Sequence, residues 1–253
     1  MFLSYYAIEN SVRQAQLAAP KPGALRARLR IPPRARVVGN INMFYAPKPH
    51  LGQLTGVKAH EDVIEALRIV TSARADVYGV LAGGPWGNAQ KYFEHLRKRA
   101  QEVAPGRILL PGRLAPEAVL SAWGEFDCAV HVPLSENCGG VVEPMLAGVP
   151  VIAGRAGGLE EVVIDGITGL TVPIRNPQVL ADAILEVLAR PAHYRALARV
   201  GSHLVDRMFS SRRTGAEIKR IYEYILGYSA QRPDEFDSRE FVAAAPENHA
   251  QSA

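Results

Sequence analysis

The chain has 253 residues, of which 48 % are hydrophobic and 21 % are charged, and its formal net charge at pH 7 is +4. This balance is close to that of soluble globular proteins, and it excludes a disordered chain, a collagen-like repeat and a disulfide-rich scaffold. The length suits one large domain or two small ones. The net charge is too small to indicate a nucleic-acid-binding protein by itself.

A basic stretch without acidic residues runs over residues 21–36. Its cations are Lys21, Arg26, Arg28, Arg30, Arg34 and Arg36. We interpret this stretch as a solvated helix face and a linker, and a phosphate-binding patch is the alternative. Because nothing else in the sequence favours nucleic acid, we expect no nucleic-acid partner.

The two cysteines, Cys128 and Cys138, have no metal-ligand partners at a standard spacing. Two cysteines in this length fit a reducing compartment. Residues 1–8 are apolar, but they lack a basic n-region and are followed at once by Glu9, so no signal peptide is predicted. No apolar run reaches the ~18 residues that span a bilayer. The sequence therefore predicts a cytoplasmic protein with at most peripheral membrane contact.

Apolar runs of strand length alternate with helix-period segments along the chain. The predicted strands are residues 36–42, 77–82, 108–110, 128–132, 149–153 and 169–172. The predicted helices are residues 60–71, 88–104 with Asn88 as the cap, 116–123, 141–147, 159–164, 177–189, 192–208 and 212–228. This alternation predicts an α/β fold, a doubly wound and Rossmann-like parallel sheet with helices on both faces.

Glycine-rich segments follow four of the predicted strands, at residues 83–87, 112–113, 135–140 and 154–158. The carboxyl ends of parallel strands meet at one edge of the sheet, and ligands bind in the crevice beyond them. We therefore expect these four segments to line one ligand site.

The densest signal is the segment PLSENCGGVVEP at residues 133–144. Its glycines, Gly139 and Gly140, let the backbone approach a ligand without a Cβ atom, and the N–H groups of the helix that follows favour an anion such as a diphosphate. Glu143, predicted in the first turn of that helix, can accept hydrogen bonds from two vicinal hydroxyls, as on a ribose. Glu136 can reach hydroxyls beyond the phosphates. The spacing alone fits equally well a glycine-rich turn with Glu143 as a helix-start charge.

This segment resembles the donor-binding half of a retaining glycosyltransferase of family 4, which has the two-domain GT-B fold. The similarity runs through SEN at 135–137, EPMLAGVPVIA at 143–153, GGLEEVV at 157–163 and DGITGLTVP at 165–173, and it covers roughly residues 24–228. The resemblance implies transfer of a hexose-type sugar from a nucleoside diphosphate sugar with retention of configuration. It implies no cofactor, no metal ion and no protein nucleophile, because cations and a helix dipole stabilise the departing diphosphate.

The resemblance also assigns site residues. Glu136 is the expected contact to the donor sugar and Lys58 the expected cation on the diphosphate, and these two are predicted as catalytic. The residues predicted to bind the donor are Glu143, Gly139, Gly140, Asn137, Gly84, Arg113 and Leu114. Glu143 would contact the ribose, and the loop of Arg113 would lie near the base. Six residues separate Glu136 from Glu143 where the family usually has seven, and Ser135 stands in the usual register.

Four further residues have open interpretations. Asn40 stands where the family has an arginine, and Lys48 is either a substitute cation or a solvated surface lysine. His131 is interpreted as a packed histidine near a strand end, and a site residue is the alternative. Trp86 either covers the rim of the crevice or anchors its loop.

The resemblance divides most of the chain into an inter-domain segment and first helix (1–36), a donor-binding domain (37–208) and a closing helix (209–228). Residues 229–253 are rich in Asp, Glu, Ala and Pro with little periodicity, so they are predicted to be a disordered tail. A complete family member also has an N-terminal acceptor domain of similar size. The expected partners are therefore a nucleotide sugar, an unknown acceptor and a separate or missing N-terminal domain. Without that domain, we expect the apolar faces of residues 1–8 and of the closing helix to be partly exposed.

Two other functions remain to be weighed. A non-catalytic nucleotide-sugar-binding module, or an inactive fragment, would share the same site residues. A dinucleotide-dependent oxidoreductase would carry Gly-x-Gly-x-x-Gly after its first strand, and the segment that begins at Gly39 lacks it.

Overall fold

Six parallel strands form the centre of the fold in the computed structural model, which describes residues 4–8, 23–234 and 237–242. The strands are β1 (Arg36–Ile41), β2 (Val77–Ala82), β3 (Ile108–Gly112), β4 (Cys128–His131), β5 (Val151–Gly154) and β6 (Leu170–Val172). The helices are α1 (Ala24–Leu29), α2 (His60–Ala73), α3 (Gln90–Val103), α4 (Pro116–Trp123), α5 (Gly139–Leu146), α6 (Leu159–Val162), α7 (Pro177–Ala189), α8 (Pro191–Met208), α9 (Ser211–Ile225) and α10 (Arg239–Val242).

The strand order across the sheet is β3-β2-β1-β4-β5-β6, and each neighbouring pair is parallel. This arrangement confirms the predicted doubly wound α/β fold. The chain crosses from one half of the sheet to the other in the connection from β3 to β4, so the switch point lies between the neighbouring strands β1 and β4. At such a switch point the connections leave in opposite directions and open a crevice beyond the carboxyl ends of the strands.

Two apolar cores cover the two faces of the sheet. Successive strand residues point to opposite faces, so Val37 and Val38 of β1 belong to different cores. The Val37 side is packed by α1, α4, α5 and α8, and the Val38 side by α2, α3 and α7. Burial on both faces explains why the strands are near-continuous apolar runs in the sequence.

Two helix starts differ by two residues from the sequence predictions. Helix α5 begins at Gly139, because the Asn137 Oδ1 accepts the N–H groups of Cys138 and Gly139 at 2.7 and 3.0 Å. Glu143 consequently lies in the second turn of α5, and its predicted place in the first turn is wrong. Asn88 does not cap α3, which begins at Gln90, because the preceding turn is closed by its own backbone.

The basic stretch is not a uniformly solvated face. The Arg26 guanidinium donates to the carbonyls of Ala35 and Glu125 and lies 3.3 Å from Asp127 Oδ2. The buried Glu125 carboxylate accepts the N–H groups of Leu25 and Arg26 at the start of α1. The solvated interpretation is therefore wrong for Arg26, which ties α1 to the amino edge of the sheet. Lys21 lies outside the described residues.

Residues 4–8 run in extended form against α9. The Tyr5 carbonyl accepts hydrogen bonds from Arg213 and Thr214, and the Ile8 N–H donates to the Phe209 carbonyl at 2.9 Å. Tyr5 is buried by this packing, whereas Tyr6 keeps 44 % of its surface exposed. Residues 1–3 and 9–22 of the predicted inter-domain segment lie outside the described residues.

Helix α9 carries exposed apolar residues. Its side chains Ile218, Tyr222 and Ile225 are exposed, as expected for the closing helix. Within the predicted disordered tail, residues 237–242 instead contain α10, where the Phe241 carbonyl accepts from Arg207 and its ring faces the same guanidinium. Residues 235–236 and 243–253 lie outside the described part. Among the described helices, none has both the length and the apolar character needed to cross a bilayer.

Candidate functional site

The side chains predicted to carry chemistry collect at the switch point between β1 and β4. Asn42, just after β1, places its Nδ2 3.3 Å from the Nδ1 of His131, the last residue of β4. The predicted glycine-rich loops lie at this carboxyl edge and contact one another. The Gly83 N–H donates to the Gly112 carbonyl, and the Gly158 N–H donates to the Glu136 carbonyl.

Glu136 is the centre of a charged cluster in this crevice. Its carboxylate is only 10 % exposed and forms an ion pair with Lys58, which lies just before α2. The same oxygen, Oε2, is 3.1 Å from His131 Nε2, and Oε1 accepts the Asn137 N–H at 3.0 Å. The two residues predicted as catalytic are thus in direct contact, although 78 positions separate them in the chain.

The protonation states in this cluster follow from its hydrogen bonds. Burial raises the pKa of Glu136, but the hydrogen bonds from His131 and Lys58 and the charge of Lys58 outweigh it and lower the pKa to about 2. Burial together with the charge of Lys58 lowers the pKa of His131, so its imidazole is neutral. An ionised Glu136 can only accept, so we assign the His131 proton to Nε2, and Nδ1 then accepts from the Asn42 amide.

Gly140 allows the His131 imidazole to lie directly against α5. A Cβ atom at position 140 would overlap the imidazole around Nε2, whereas a Cβ at Gly139 would lie 3.5 Å from the Tyr6 hydroxyl, an ordinary contact. His131 is buried, as its interpretation as a packed histidine expects, and it also bonds to Glu136, so its role as a site residue stays a prediction. Of the two predicted glycines, Gly140 is the one that the cluster requires.

The start of α5 carries the amides predicted to favour an anion. The Asn137 Oδ1 already accepts two of them, from Cys138 and Gly139. The turn at Gly158 packs closely against the Asn137 backbone, since a Cβ atom at position 158 would collide with the Asn137 carbonyl. Asn137 is therefore a component of the site through its side chain and its backbone.

Glu143 lies one turn further along α5 and contacts a different partner. Its Oε2 accepts the indole N–H of Trp123, the last residue of α4, at 3.2 Å. Glu143 is half-buried, whereas the Glu136 side chain is almost buried. Trp123 was not recognised in the sequence, because the contact joins two helices through a strand crossover.

Gly84, Arg113 and Leu114 form a second group at the ends of β2 and β3. Gly84 is buried, and a Cβ atom there would lie 3.3 Å from the Arg113 side chain, so the two loops touch. The Arg113 guanidinium is exposed and lies 3.9 Å from the Met43 sulfur. The Leu114 side chain is buried in the core, which leaves its backbone for a ligand.

Residues 42–55, an inserted segment after β1 relative to the family pattern, contribute Tyr45 to an aromatic rim beside Lys58. Asn40 is buried, and neither of its amide atoms has a hydrogen-bond partner among the described residues. Lys48 is exposed, as the surface interpretation expects. The rings of Tyr45 and Trp86 lie 5.9 Å apart, and Lys58 Nζ lies 6.0 Å from the Tyr45 ring centre, so Trp86 belongs to the rim of the crevice.

Tyr6 is a neighbour of the site that the sequence did not indicate. Its hydroxyl lies over Gly139 and contacts the Cys138 thiol. Burial and the negative charges of Glu136 and Glu143 raise the pKa of Tyr6 to about 12, so the phenol stays protonated and can donate. Burial also raises the pKa of Cys138 to about 12, which makes that thiol a poor nucleophile.

Among the residues that the structure describes, no three His, Cys, Asp or Glu side chains come together as metal ligands. The cluster instead offers a cation, a neutral imidazole and two carboxylates. Such a set can bind phosphate oxygens and sugar hydroxyls. The absence of a metal requirement stays a prediction.

Comparison with known proteins points in the same direction as this geometry. The model of the family described as "Glycosyl transferases group 1" matches residues 49–203, more than half of the chain. The D-inositol 3-phosphate glycosyltransferase of Frankia alni is 28 % identical over 186 residues, which cover 71 % of this chain and 46 % of the relative. The enzyme of the same name from Nocardioides sp. is 29 % identical over 208 residues, covering 78 % and 43 %. The chain spans about half the length of the curated relatives it matches.

Solved structures share the fold. Anabaena HepE, crystallised in complex with UDP, superposes with a TM-score of 0.69 at 22 % identity, over 87 % of this chain and 56 % of HepE. The C-terminal domain of the group 1 glycosyl transferase LpcC from Francisella tularensis superposes with a TM-score of 0.59 at 20 % identity, over 82 % of this chain and 96 % of that domain. The predicted Rossmann-like half of a GT-B structure is confirmed.

Proposed function

Because the chain belongs to the group 1 glycosyl transferases, we propose that it is the donor-binding half of a retaining enzyme of family 4. It binds a nucleoside diphosphate sugar and transfers a hexose-type sugar to an acceptor held by an N-terminal domain. The observation that carries the proposal is the contact of Lys58 and His131 with Glu136 beside the diglycine start of α5. The UDP and glucose bound in HepE crystals support a nucleotide sugar as the ligand.

Lys58 and Glu136 bind different parts of the donor, the diphosphate and the sugar. The ammonium of Lys58 is a compact point charge suited to the β-phosphate of the leaving group. The Glu136 carboxylate is ionised and can accept hydrogen bonds from hydroxyls of the sugar. Their mutual ion pair supports a binding mode in which the bond between sugar and phosphate lies next to both groups.

The nucleoside extends away from this cluster toward α4. Glu143 accepts the ribose hydroxyls, and the base lies by the loops of Gly84 and Arg113, with Leu114 contributing its backbone. The helix start at Gly139 and Gly140 faces the diphosphate, where its dipole favours negative charge.

The reaction breaks the bond between the anomeric carbon and the β-phosphate oxygen and forms one from the same carbon to the acceptor oxygen. The acceptor attacks on the face that the diphosphate leaves, which retains configuration, and the acceptor proton passes to the departing phosphate oxygen. Lys58 and the α5 dipole stabilise the charge that develops on that oxygen. The step uses no metal ion, no cofactor and no protein nucleophile.

The activity requires an acceptor half beyond this chain. The relatives are about twice as long as the matched region, and the exposed apolar residues of α9 suit a covering partner. We propose a cytoplasmic location with at most peripheral membrane contact, as the sequence predicts.

Calorimetric titration of the chain with UDP, GDP, ADP and their glucose conjugates tests the proposal. We expect one nucleotide to bind, and Glu143→Ala to weaken it at least about tenfold, because a hydrogen bond to a charged group contributes ~1.5–3 kcal/mol. Glu102→Ala, at an exposed position on α3, is the matched control and should bind as wild type.

Two results would contradict the proposal in different ways. Failure of wild type to bind any of the three nucleotides would reject a donor-binding domain. Binding without sugar transfer, once the acceptor half is supplied, would favour a non-catalytic nucleotide-sugar-binding module.

A further inference from the structure

Among the described side chains, the buried indole N–H of Trp123 on α4 donates a hydrogen bond to the half-buried carboxylate of Glu143 on α5. We propose that Trp123 is a positioning residue that holds Glu143 in the orientation that accepts the ribose hydroxyls. This inference rests on the proposed function, since it assigns Glu143 to the ribose. It adds a residue to which no role has been given by spacing or resemblance.

The surroundings of Trp123 fix where its N–H points. The side chain is 1 % exposed and packs against Phe126 with ring centres 5.1 Å apart. An indole has only two rotatable bonds, so close packing of the ring leaves its N–H one direction. The indole nitrogen only donates and a carboxylate oxygen accepts, so Trp123 is the donor and Glu143 Oε2 the acceptor of the 3.2 Å hydrogen bond.

Glu143, in contrast, has a long side chain that α5 alone does not orient. Ordering such a side chain when a ligand arrives lowers the affinity by roughly two- to tenfold. The hydrogen bond from the Trp123 N–H restrains Oε2 before the ligand binds, so this loss of affinity is avoided. Ribose hydroxyls then meet a carboxylate already in place, and the gain is confined to ligands that have those hydroxyls.

The test compares ribonucleotides with analogues that lack the hydroxyls. UDP, GDP and ADP and their 2′,3′-dideoxy counterparts are titrated into wild type, Trp123→Phe, Glu143→Ala and the double variant. We expect Trp123→Phe to weaken the preferred ribonucleotide roughly five- to tenfold and to leave its dideoxy analogue unchanged. In the Glu143→Ala background the same substitution should have no further effect.

A merely structural role for Trp123 gives a different pattern. Equal losses for the ribonucleotide and its dideoxy analogue would overturn the inference, and so would an unchanged ribonucleotide affinity. Phe126→Leu loosens the packing but keeps the N–H, so it should leave the ribose preference as in wild type. If wild type binds none of the nucleotides, the proposed function fails together with this inference. Equal losses or an unchanged ribonucleotide affinity in Trp123→Phe would instead reject only the positioning role of Trp123.

A measurement on wild type covers the case in which Trp123→Phe does not fold. The sequence has two tryptophans, so only two indole N–H signals arise in the NMR spectrum, and Trp86→Phe identifies that of Trp123. We expect this signal to shift on addition of the preferred ribonucleotide and not on addition of its dideoxy analogue. The same shift with both would contradict the inference.

Discussion

The backbone of α5 at Gly140 lies against the imidazole of His131 with no room for a methyl group between them. This close approach lets His131 Nε2 reach the Glu136 carboxylate at 3.1 Å. The helix that carries the glycine pair and the strand that carries the histidine are therefore fitted to each other at the centre of the crevice.

Gly140→Ala should consequently damage the site far more than Gly139→Ala. The new methyl group displaces the imidazole and breaks its bond to Glu136, and overpacking of this kind costs ~1–3 kcal/mol of stability. We expect at least tenfold weaker binding of the preferred nucleotide sugar, measured by calorimetry, and a lower melting temperature. Gly139→Ala is the matched control, since its methyl group meets the Tyr6 hydroxyl at 3.5 Å. Equal behaviour of the two variants would refute this account.

Lys58→Met should weaken binding through the phosphates alone. We expect roughly tenfold or greater loss of affinity for the preferred nucleoside diphosphate at low salt, with a shallower dependence on ionic strength, because one cation is removed from the diphosphate. Affinity for the corresponding free nucleoside should not change. Lys48→Met, at an exposed lysine of the inserted segment, serves as the control and should behave as wild type. Loss of nucleoside affinity in Lys58→Met would show that the lysine acts elsewhere.

His60 should make the protein sensitive to mild acid. It is fully buried against the Phe44 ring, with ring centres 3.9 Å apart, and neither ring nitrogen has a partner among the described residues. Burial, together with the charge of Lys58, lowers its pKa to about 3, below the ordinary 6.5. As the pH falls, His60 is protonated in the unfolded chain at a higher pH than in the folded protein. The contribution of neutral His60 to the free energy of unfolding is therefore fully present above pH 6.5 and is lost as the pH falls from 6.5 toward 3.

At pH 5 this difference costs the folded state about 2 kcal/mol. We expect His60→Phe to remove that loss, so that denaturant unfolding curves at pH 7.5 and pH 5 lie closer together than those of wild type. A wild-type midpoint that does not move between these pH values would contradict the assignment of a buried neutral imidazole.

The sequence was sufficient for the sheet and for two members of the charged cluster in the crevice. Strands such as β1 are apolar on both faces and alternate along the chain with helix-period segments. This combination is typical of a covered parallel sheet and therefore predicted the fold. Lys58 and Glu136 were identified by family resemblance, and the fold brings them into contact. Trp123 and Tyr6 were missed because their contacts join distant parts of the chain and no local pattern marks them.

Local signals also failed where side chains redirect the backbone. The start of α5 was placed two residues late, because the carboxamide of Asn137 satisfies the first amides of the helix. Arg26 was assigned to solvent because its acidic partner Asp127 lies about 100 positions away. In both cases a hydrogen bond that sequence patterns do not reveal decided the structure.

The carboxamide of Asn137 has a consequence for how an anion enters. Its oxygen stands on the Cys138 and Gly139 N–H groups as an internal mimic of a phosphate oxygen. An incoming phosphate that takes these two donors must first rotate the Asn137 side chain away. The Asn137 carboxamide thus holds the helix start in shape when no anion is bound. The free energy needed to break its two hydrogen bonds lowers the affinity of any anion that binds there.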